Sequence, residues 1–525
     1  MFSICRTCLR GIYSCQWNSQ TRTQNRACCW FSFLFLVSIL ALSWMYVCFI
    51  AFNDHDDVNW LAFKTLKKWV SWYMIVMVVS AVLAIYCLLL LVFGLLHLAI
   101  REPLNLHCLH KVFLFLGLLT VTLGTAGICI KWKEEWKSVY MSFQATAPFL
   151  QLCGVVALTL ISWLVFQSYH RAKTAACKVL IMMTFLVVSA AVFLSPLAIC
   201  SPCITNNLPP KPALIGHRGA PMMAPENTMM SFRKSMECDV VAFETDVQLS
   251  KDKKPFLMHD NGSSFLLRTT DVKDKFLGRD GDVNTNFTLE ELKTLNAGEW
   301  FVRTDPFQSV ASLSKEEKME ANNQTVPSLN ELLVMAKTHN VSLIFDLKND
   351  ENSTGFQNSD SYYTTETIKK SGISQDKIWW LPSEFRHEVR NIAPGFKQVY
   401  HNEQDMNADG GSFLNMKYSS LNAHEISELR EKNVSVNLWV VNEPWLFSLL
   451  WCSGASSVTT NACHILKNMS KPDWHLEPNI YMGIWISADV ISLLLMFGLF
   501  IWQRRRKSHV FRQNTSERSY PLLPR

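Results

Sequence analysis

Glu244 and Asp246 stand two residues apart in the β-branched run 240–247, and alternate side chains of a strand share a face, so two carboxylates are held side by side. Carboxylates in that arrangement repel each other, and a hard divalent cation such as Ca²⁺ or Mg²⁺ relieves the repulsion. His217 and His259 each end an apolar run, and two imidazoles facing one cation suit general acid and base work near neutral pH. Arg218 offers a planar, permanently charged fork for phosphate oxygens. Asp346 and Lys348, again two apart after the apolar run 341–345, bring a third oxygen ligand and a cation that would neutralise phosphate charge as a transition state develops. A lone His-Arg-Gly or Glu-x-Asp is common by chance and usually marks a solvated face. Here His217, Arg218, Glu244, Asp246 and His259 all fall within the 47 residues 214–260, in the order strand, helix, strand, strand.

Polar groups gathered where strands finish are the layout of a parallel β/α barrel, which places its chemistry at the C-terminal ends of its strands. Candidate strands cover residues 213–217, 240–247, 255–259, 341–347, 377–381, 396–400, 434–440 and 456–460. With helix-forming stretches between them over about 260 residues, they predict a (β/α)8 TIM barrel. Residues 261–286 interrupt the rhythm with polar, Gly-containing sequence.

The motifs His217-Arg218-Gly219, Pro225-Glu226-Asn227-Thr228, Glu244-Thr245-Asp246-Val247 and His259-Asp260 together resemble those of the glycerophosphodiester phosphodiesterase family. Later landmarks match as well: Leu295-Asn296-Ala297-Gly298, the stretch 326–333, Leu343-Ile344-Phe345-Asp346-Leu347-Lys348, Leu438-Trp439-Val440-Val441-Asn442 and residues 454–461. The resemblance covers residues 211–470. With its hydrophobic flanks the chain is similar to the six-pass branch of that family, whose catalytic domain sits outside the membrane.

The resemblance implies hydrolysis of glycerophosphodiesters with one divalent metal cation, Ca²⁺ or Mg²⁺, held by Glu244, Asp246 and Asp346. Arg218 and Lys348 would bind the phosphate. One of His217 and His259 would activate the nucleophile, a water or a neighbouring substrate hydroxyl, and the other would protonate the leaving alkoxide. In some members the residue matching His259 is a metal ligand, so both roles stay open. Glycerophosphoinositol, glycerophosphocholine and lipid-linked substrates of the glycosylphosphatidylinositol-anchor type all fall within what this branch implies. Two positions depart from the pattern. Asp346 stands where the family usually has Glu, which bears on metal affinity or choice rather than on ligation. Thr460-Asn461 stands where Thr-Asp is frequent, a position expected not to touch the chemistry. Residues 261–286 resemble the family's insertion beside the active-site mouth. The rival reading is a non-catalytic membrane receptor or adhesion protein using the barrel as a binding module. A lost ligand or histidine would favour it, and each expected group is present.

The elements outside the barrel are hydrophobic. Apolar residues make up 49% of the chain and concentrate in blocks at 30–52, 69–100, 112–130, 147–169, 179–199 and 480–502. Each reaches the minimum of about 17 residues for a bilayer-spanning helix. The expected organisation is a cytoplasmic Cys/Arg-rich N-terminus at 1–29, five transmembrane helices within 30–200, the barrel at 211–470, a sixth transmembrane helix at 480–502 and a basic cytoplasmic tail at 503–525. Arg6, Arg10, Arg22 and Arg26 precede the first block without an acid, and Arg504-Arg505-Arg506-Lys507 follow the last. That bias puts both ends in the cytoplasm and the barrel on the extracellular or luminal side, with the plasma membrane as the expected address. Sequons at Asn286, Asn323, Asn340, Asn352, Asn433 and Asn468 agree with this; a seventh, at Asn261, lies too close to His259 for occupancy. The net charge of +6 resides in the two termini, so it reads as a topology and anionic-lipid signal, with no nucleic acid partner.

Cys5, Cys8, Cys15, Cys28 and Cys29 are candidate palmitoylation sites, and no second pair completes a zinc site with Cys5 and Cys8. An oxidising compartment would permit a Cys452–Cys463 bridge, with connectivity left open. Asp489 lies inside the last block; a protonated or hydrogen-bonded carboxyl is favoured there over a functional one.

Overall fold

The computed structural model describes residues 2–15, 17, 26–100, 102–259, 264–281, 283–347, 355–473 and 475–517. The chain divides into two compact units. One comprises Met1–Val47, Val78–Asn206 and Leu476–Arg525; the other comprises Asn207–His475 together with the distant segment Cys48–Met77.

Among the described residues six helices are long and apolar enough to cross a membrane: Ala27–Leu66, Trp72–Ile100, Cys108–Lys131, Glu135–Arg171, Ala175–Ala198 and Pro478–Arg506. The first is interrupted by a 3-10 turn at Phe52–Asp54. Within the first unit Thr159 and Ser492 hydroxyls lie 2.6 Å apart. Asp489 lies in the last of these helices, close to Trp485 and Gln151.

In the second unit the strands are β1 (Ala213–His217), β2 (Ala242–Leu249), β3 (Pro255–Leu257), β4 (Ser342–Asp346), β5 (Ile378–Trp380), β6 (Lys397–Gln398), β7 (Phe413–Lys417), β8 (Ser435–Trp439) and β9 (Ser457–Thr460). Their order is β6-β5-β4-β2-β1-β9-β8-β7, parallel throughout, and a parallel bridge between Tyr400 and Leu414 joins the two edges. Closing the ring leaves the barrel strands without open edges to template aggregation. Ile215, Ala242, Ile344, Leu381 and Val399 form a buried cluster across five neighbouring elements. Helices between the strands begin where capping residues dictate: Ser328 and Glu331 form a capping box at Leu329–His339, and Thr228 accepts from Ser231 N at the start of Met229–Met236.

Two expectations require correction. Residues 255–259 do not supply a barrel strand: β3 is shorter and pairs antiparallel with β2, as a side hairpin. The eighth barrel strand is β7, which the apolar pattern did not reveal because Asn415 breaks it. The bridge also differs, since Cys463 pairs with Cys238, Cα atoms 5.7 Å apart, rather than with Cys452. Cys463 opens the helix after β9, and Cys238 lies between the helix Met229–Met236 and β2.

Asn415 is explained by what it meets. Asn437 on β8 donates to Asn415 Oδ1 (2.6 Å) and Thr459 Oγ1 (2.8 Å) while accepting from Ser457 Oγ (2.9 Å), all buried. A polar layer of this kind is stable only if complete. Asn437→Ala should therefore cost about 1–3 kcal/mol by stranding Asn415 and Ser457, read as a lowered unfolding midpoint; an unchanged midpoint would mean that the layer contributes nothing.

Candidate active site

The site is assembled by register. His217 at the end of β1 lies opposite Glu244 on β2, and Asp246 on β2 lies opposite Asp346 on β4. Both histidines face this carboxylate group: His217 Nε2 is 3.8 Å from Glu244 Oε2, and His259 Nε2 is 3.8 Å from Asp246 Oδ1.

Arg218 turns the chain sharply, with a φ of 52°, and its backbone N–H donates to Glu244 through both the main-chain oxygen (3.0 Å) and Oε2 (3.1 Å). Its guanidinium contacts Asp246 Oδ2 at 3.1 Å and Glu226 Oε1 at 3.3 Å. Gly219 follows with a φ of +88°, and a Cβ there would lie 2.8 Å from Phe232 N, so the His-Arg-Gly glycine is a steric requirement as well as a conformational one. Asn227, also left-handed at 53°, donates to Asp246 Oδ2 at 2.9 Å and accepts from Thr245 Oγ1 at 3.1 Å. Left-handed non-glycine residues carry strain, and two of them beside one carboxylate pair mark a site held by its surroundings.

Burial pushes the Glu244 carboxyl well above the usual carboxylate range; Asp246 and Asp346 add to the shift and Arg218 opposes it. Burial works to lower the Arg218 pKa, but the Asp246, Glu226 and Glu244 carboxylates outweigh it. Burial, aided by Arg218, takes His217 down from 6.5 to about 4, so its imidazole is neutral at physiological pH. Its Nδ1 lies 2.6 Å from Asn461 Oδ1. An amide oxygen only accepts, so Nδ1 carries the hydrogen and Nε2 presents its lone pair to the site.

Glu244, Asp246 and Asp346 provide three crowded carboxyl groups, and their hard oxygen donors fit a divalent cation in type. Among the described residues no three His, Cys, Asp or Glu side chains are drawn together at metal-holding distances. Lys348, Asn261 and Asn352 lie outside the described residues. Asn461, expected to be remote from the chemistry, instead holds His217. Sequence reasoning also gave no role to Glu226, though it named its motif, or to Arg268, which donates to Glu226 Oε2 at 2.9 Å from a buried position. Arg268 lies in the insertion after β3, where no periodicity announces it.

Known proteins bear on this site. The model of the glycerophosphoryl diester phosphodiesterase family matches residues 217–379. Glycerophosphoinositol inositolphosphodiesterase GDPD2 of Mus musculus is 43% identical over 506 residues, covering 95% of this chain and 93% of that protein. Glycerophosphodiester phosphodiesterase domain-containing protein 5 of Gallus gallus is 39% identical, covering 95% of this chain and 84% of that protein. Among solved structures, an Oleispira antarctica phosphodiesterase in complex with the product sn-glycerol-3-phosphate aligns with 49% of this chain and 95% of its own, at 22% identity and a TM-score of 0.39.

In the metal-free protein, Asn461→Asp should raise the His217 pKa from about 4 back toward 6.5, because a carboxylate facing Nδ1–H favours the imidazolium. Histidine NMR titration checks this. The native state of the parent protein resists protonating His217, so stability present above pH 6.5 declines as pH falls toward about 4. The substitution should flatten that decline, and an unmoved titration would dissociate Asn461 from the imidazole.

Proposed function

This chain belongs to the glycerophosphodiester phosphodiesterase family, and we propose that it hydrolyses glycerophosphodiesters, glycerophosphoinositol first among them, with a divalent cation, at the outer face of a membrane. The observation that carries the reading is the convergence of His217, Glu244, Asp246 and Arg218 at the C-terminal ends of the adjacent parallel strands β1 and β2.

His217, neutral and oriented by Asn461, takes the proton of the nucleophile through Nε2. A bond forms from that oxygen to phosphorus as the bond from phosphorus to the leaving alkoxide breaks, and His259 returns a proton to the leaving oxygen. Arg218 stabilises the charge on the phosphoryl oxygens with Lys348. Glu244, Asp246 and Asp346 would hold the cation, which when bound supplies Lewis-acid polarisation of the phosphoryl group. The nucleophile is water or a substrate hydroxyl. Glycerophosphoinositol leads because the relatives of Mus musculus and Homo sapiens named for that substrate are 43% and 42% identical across nearly the whole chain. Glycerophosphocholine and glycosylphosphatidylinositol-anchor substrates follow.

Placement of the barrel outside the cytoplasm is supported by the arginines at both ends, the Cys238–Cys463 bridge, and the exposure of Asn323, Asn340, Asn433 and Asn468; Asn286 is half-buried. In this reading residues 1–29 and 503–525 are cytoplasmic, the spanning helices fall within 30–200 and 480–502, and 211–470 form the catalytic domain at the plasma membrane.

The test is turnover of glycerophosphoinositol and glycerophosphocholine by the detergent-solubilised full chain with Ca²⁺, Mg²⁺ or EDTA. His217→Ala should lower kcat by roughly 10²-fold or more, and EDTA should abolish turnover until cation is restored. Folded, cation-loaded protein that turns over neither these nor a lipid-linked substrate would instead favour the binding-module reading.

A further inference from the structure

Residues 48–77, separated from the barrel by more than a hundred residues of sequence, belong to the barrel's compact unit. Their contacts define a strap. At one end, Asn53 donates to Val440 O (2.9 Å) and accepts from Asn442 N (2.8 Å), while its own carbonyl accepts from Asn442 Nδ2 (3.1 Å). Asp54 beside it accepts from Tyr418 Oη at 2.6 Å. These partners follow β7 and β8. At the other end, Trp60 packs on Phe265 with ring centroids 4.9 Å apart, and Lys67 Nζ lies 2.5 Å from Ser264 Oγ. Those partners belong to the insertion after β3, which itself pairs with β2. In the ring β9 and β1 lie between β8 and β2, so the strap runs past the strands that carry Asn461, His217 and Arg218.

Two routes lead inward from it, the first through hydrogen bonds and the second through charged pairs. Asn442, held by Asn53, accepts from Asn461 N at 2.9 Å, and Asn461 holds His217. Asp56 lies 3.8 Å from Arg268, which donates to Glu226 at 2.9 Å, and Glu226 meets Arg218 at 3.3 Å. Asn53, Asn442, Asn461, Arg268 and Glu226 are all buried, so each depends on its neighbour for its polar partners. Glu226 is divided between two guanidiniums, with the shorter contact to the more buried Arg268. Without Asp56, Arg268 would draw Glu226 away and leave Arg218 to Asp246 alone. Asp57, the next residue, lies within electrostatic range of Arg218 and Lys417.

We propose that the 48–77 strap is a working part of the active site, in which Asn53 positions His217 through Asn442 and Asn461, and Asp56 positions Arg218 through Arg268 and Glu226. The claim rests on the hydrolase reading for its kinetic readout only. In the full chain, Asn53→Ala should lower kcat for glycerophosphoinositol about 5- to 20-fold, with KM within about twofold. In an Asn461→Ala background the same change should cost less than about twofold, because the route is already cut. Asp56→Ala should chiefly raise KM, with Asp56→Glu restoring most of the loss. Carbethoxylation of His217 by diethyl pyrocarbonate, followed by mass spectrometry, reads the imidazole without any turnover and should change in rate about threefold or more in Asn53→Ala. Equal kinetic penalties in both backgrounds, or unchanged His217 modification, would overturn the proposal. Absence of turnover in the parent protein would remove the activity assignment and leave the modification rates to decide the strap.

Discussion

The charge balance around Arg218 is the constraint to which the rest of the site answers. Glu244, Asp246 and Glu226 are buried around it, and a buried carboxylate survives as an ion only with a compensating charge and filled lone pairs. Arg218 supplies three of those contacts from one residue by taking a left-handed turn, which lets its backbone reach Glu244 while its guanidinium reaches Asp246 and Glu226. Removing one partner of such a buried cluster typically costs about 3–5 kcal/mol, because the stranded charge has no other relief. The turn, Gly219 behind it and Asn227 beside it all hold that arrangement. Glu244, Asp246 and Asp346 remain crowded together beside it, and Asp246 and Asp346 help push the Glu244 carboxyl up.

The barrel's contribution is register. A parallel ladder fixes which side chains stand level, so His217 with Glu244 and Asp246 with Asp346 are consequences of backbone pairing rather than of side-chain choice. A slip of one residue would turn both carboxylates of β2 away from the opening. The polar layer of Asn415, Asn437, Ser457 and Thr459 pins β7, β8 and β9 at the same time, and β9 is the strand that presents Asn461.

The strap brings a distant segment of the chain against the barrel in one compact unit. Asn53 and Asn442 are separated by 389 residues, yet they share two hydrogen bonds. In the proposed arrangement His217 and Arg218, at the end of β1, are steadied from outside the barrel ring, and neither route requires the strap to touch substrate.

Much of the fold and the centre of the site were legible in the chain itself. The run ending in His217 is β1 to the residue, the spacing of Glu244 and Asp246 put them on one face, and the apolar blocks became spanning-length helices, because alternation, helical length and hydrophobicity are local properties written into neighbouring residues. Pairing partners are not local. Residues 255–257 read correctly as a strand, but alternation is the same in parallel and antiparallel ladders, so only the folded chain decided that they leave the ring and that 413–417, masked by a polar Asn415, complete it. Cys463 chose Cys238 over Cys452 for the same reason. Asn461, Arg268 and Asn53 carried no signal in isolation, since each draws its meaning from a hydrogen-bond or charge partner in another element, and that proximity is created by tertiary packing rather than by sequence neighbourhood.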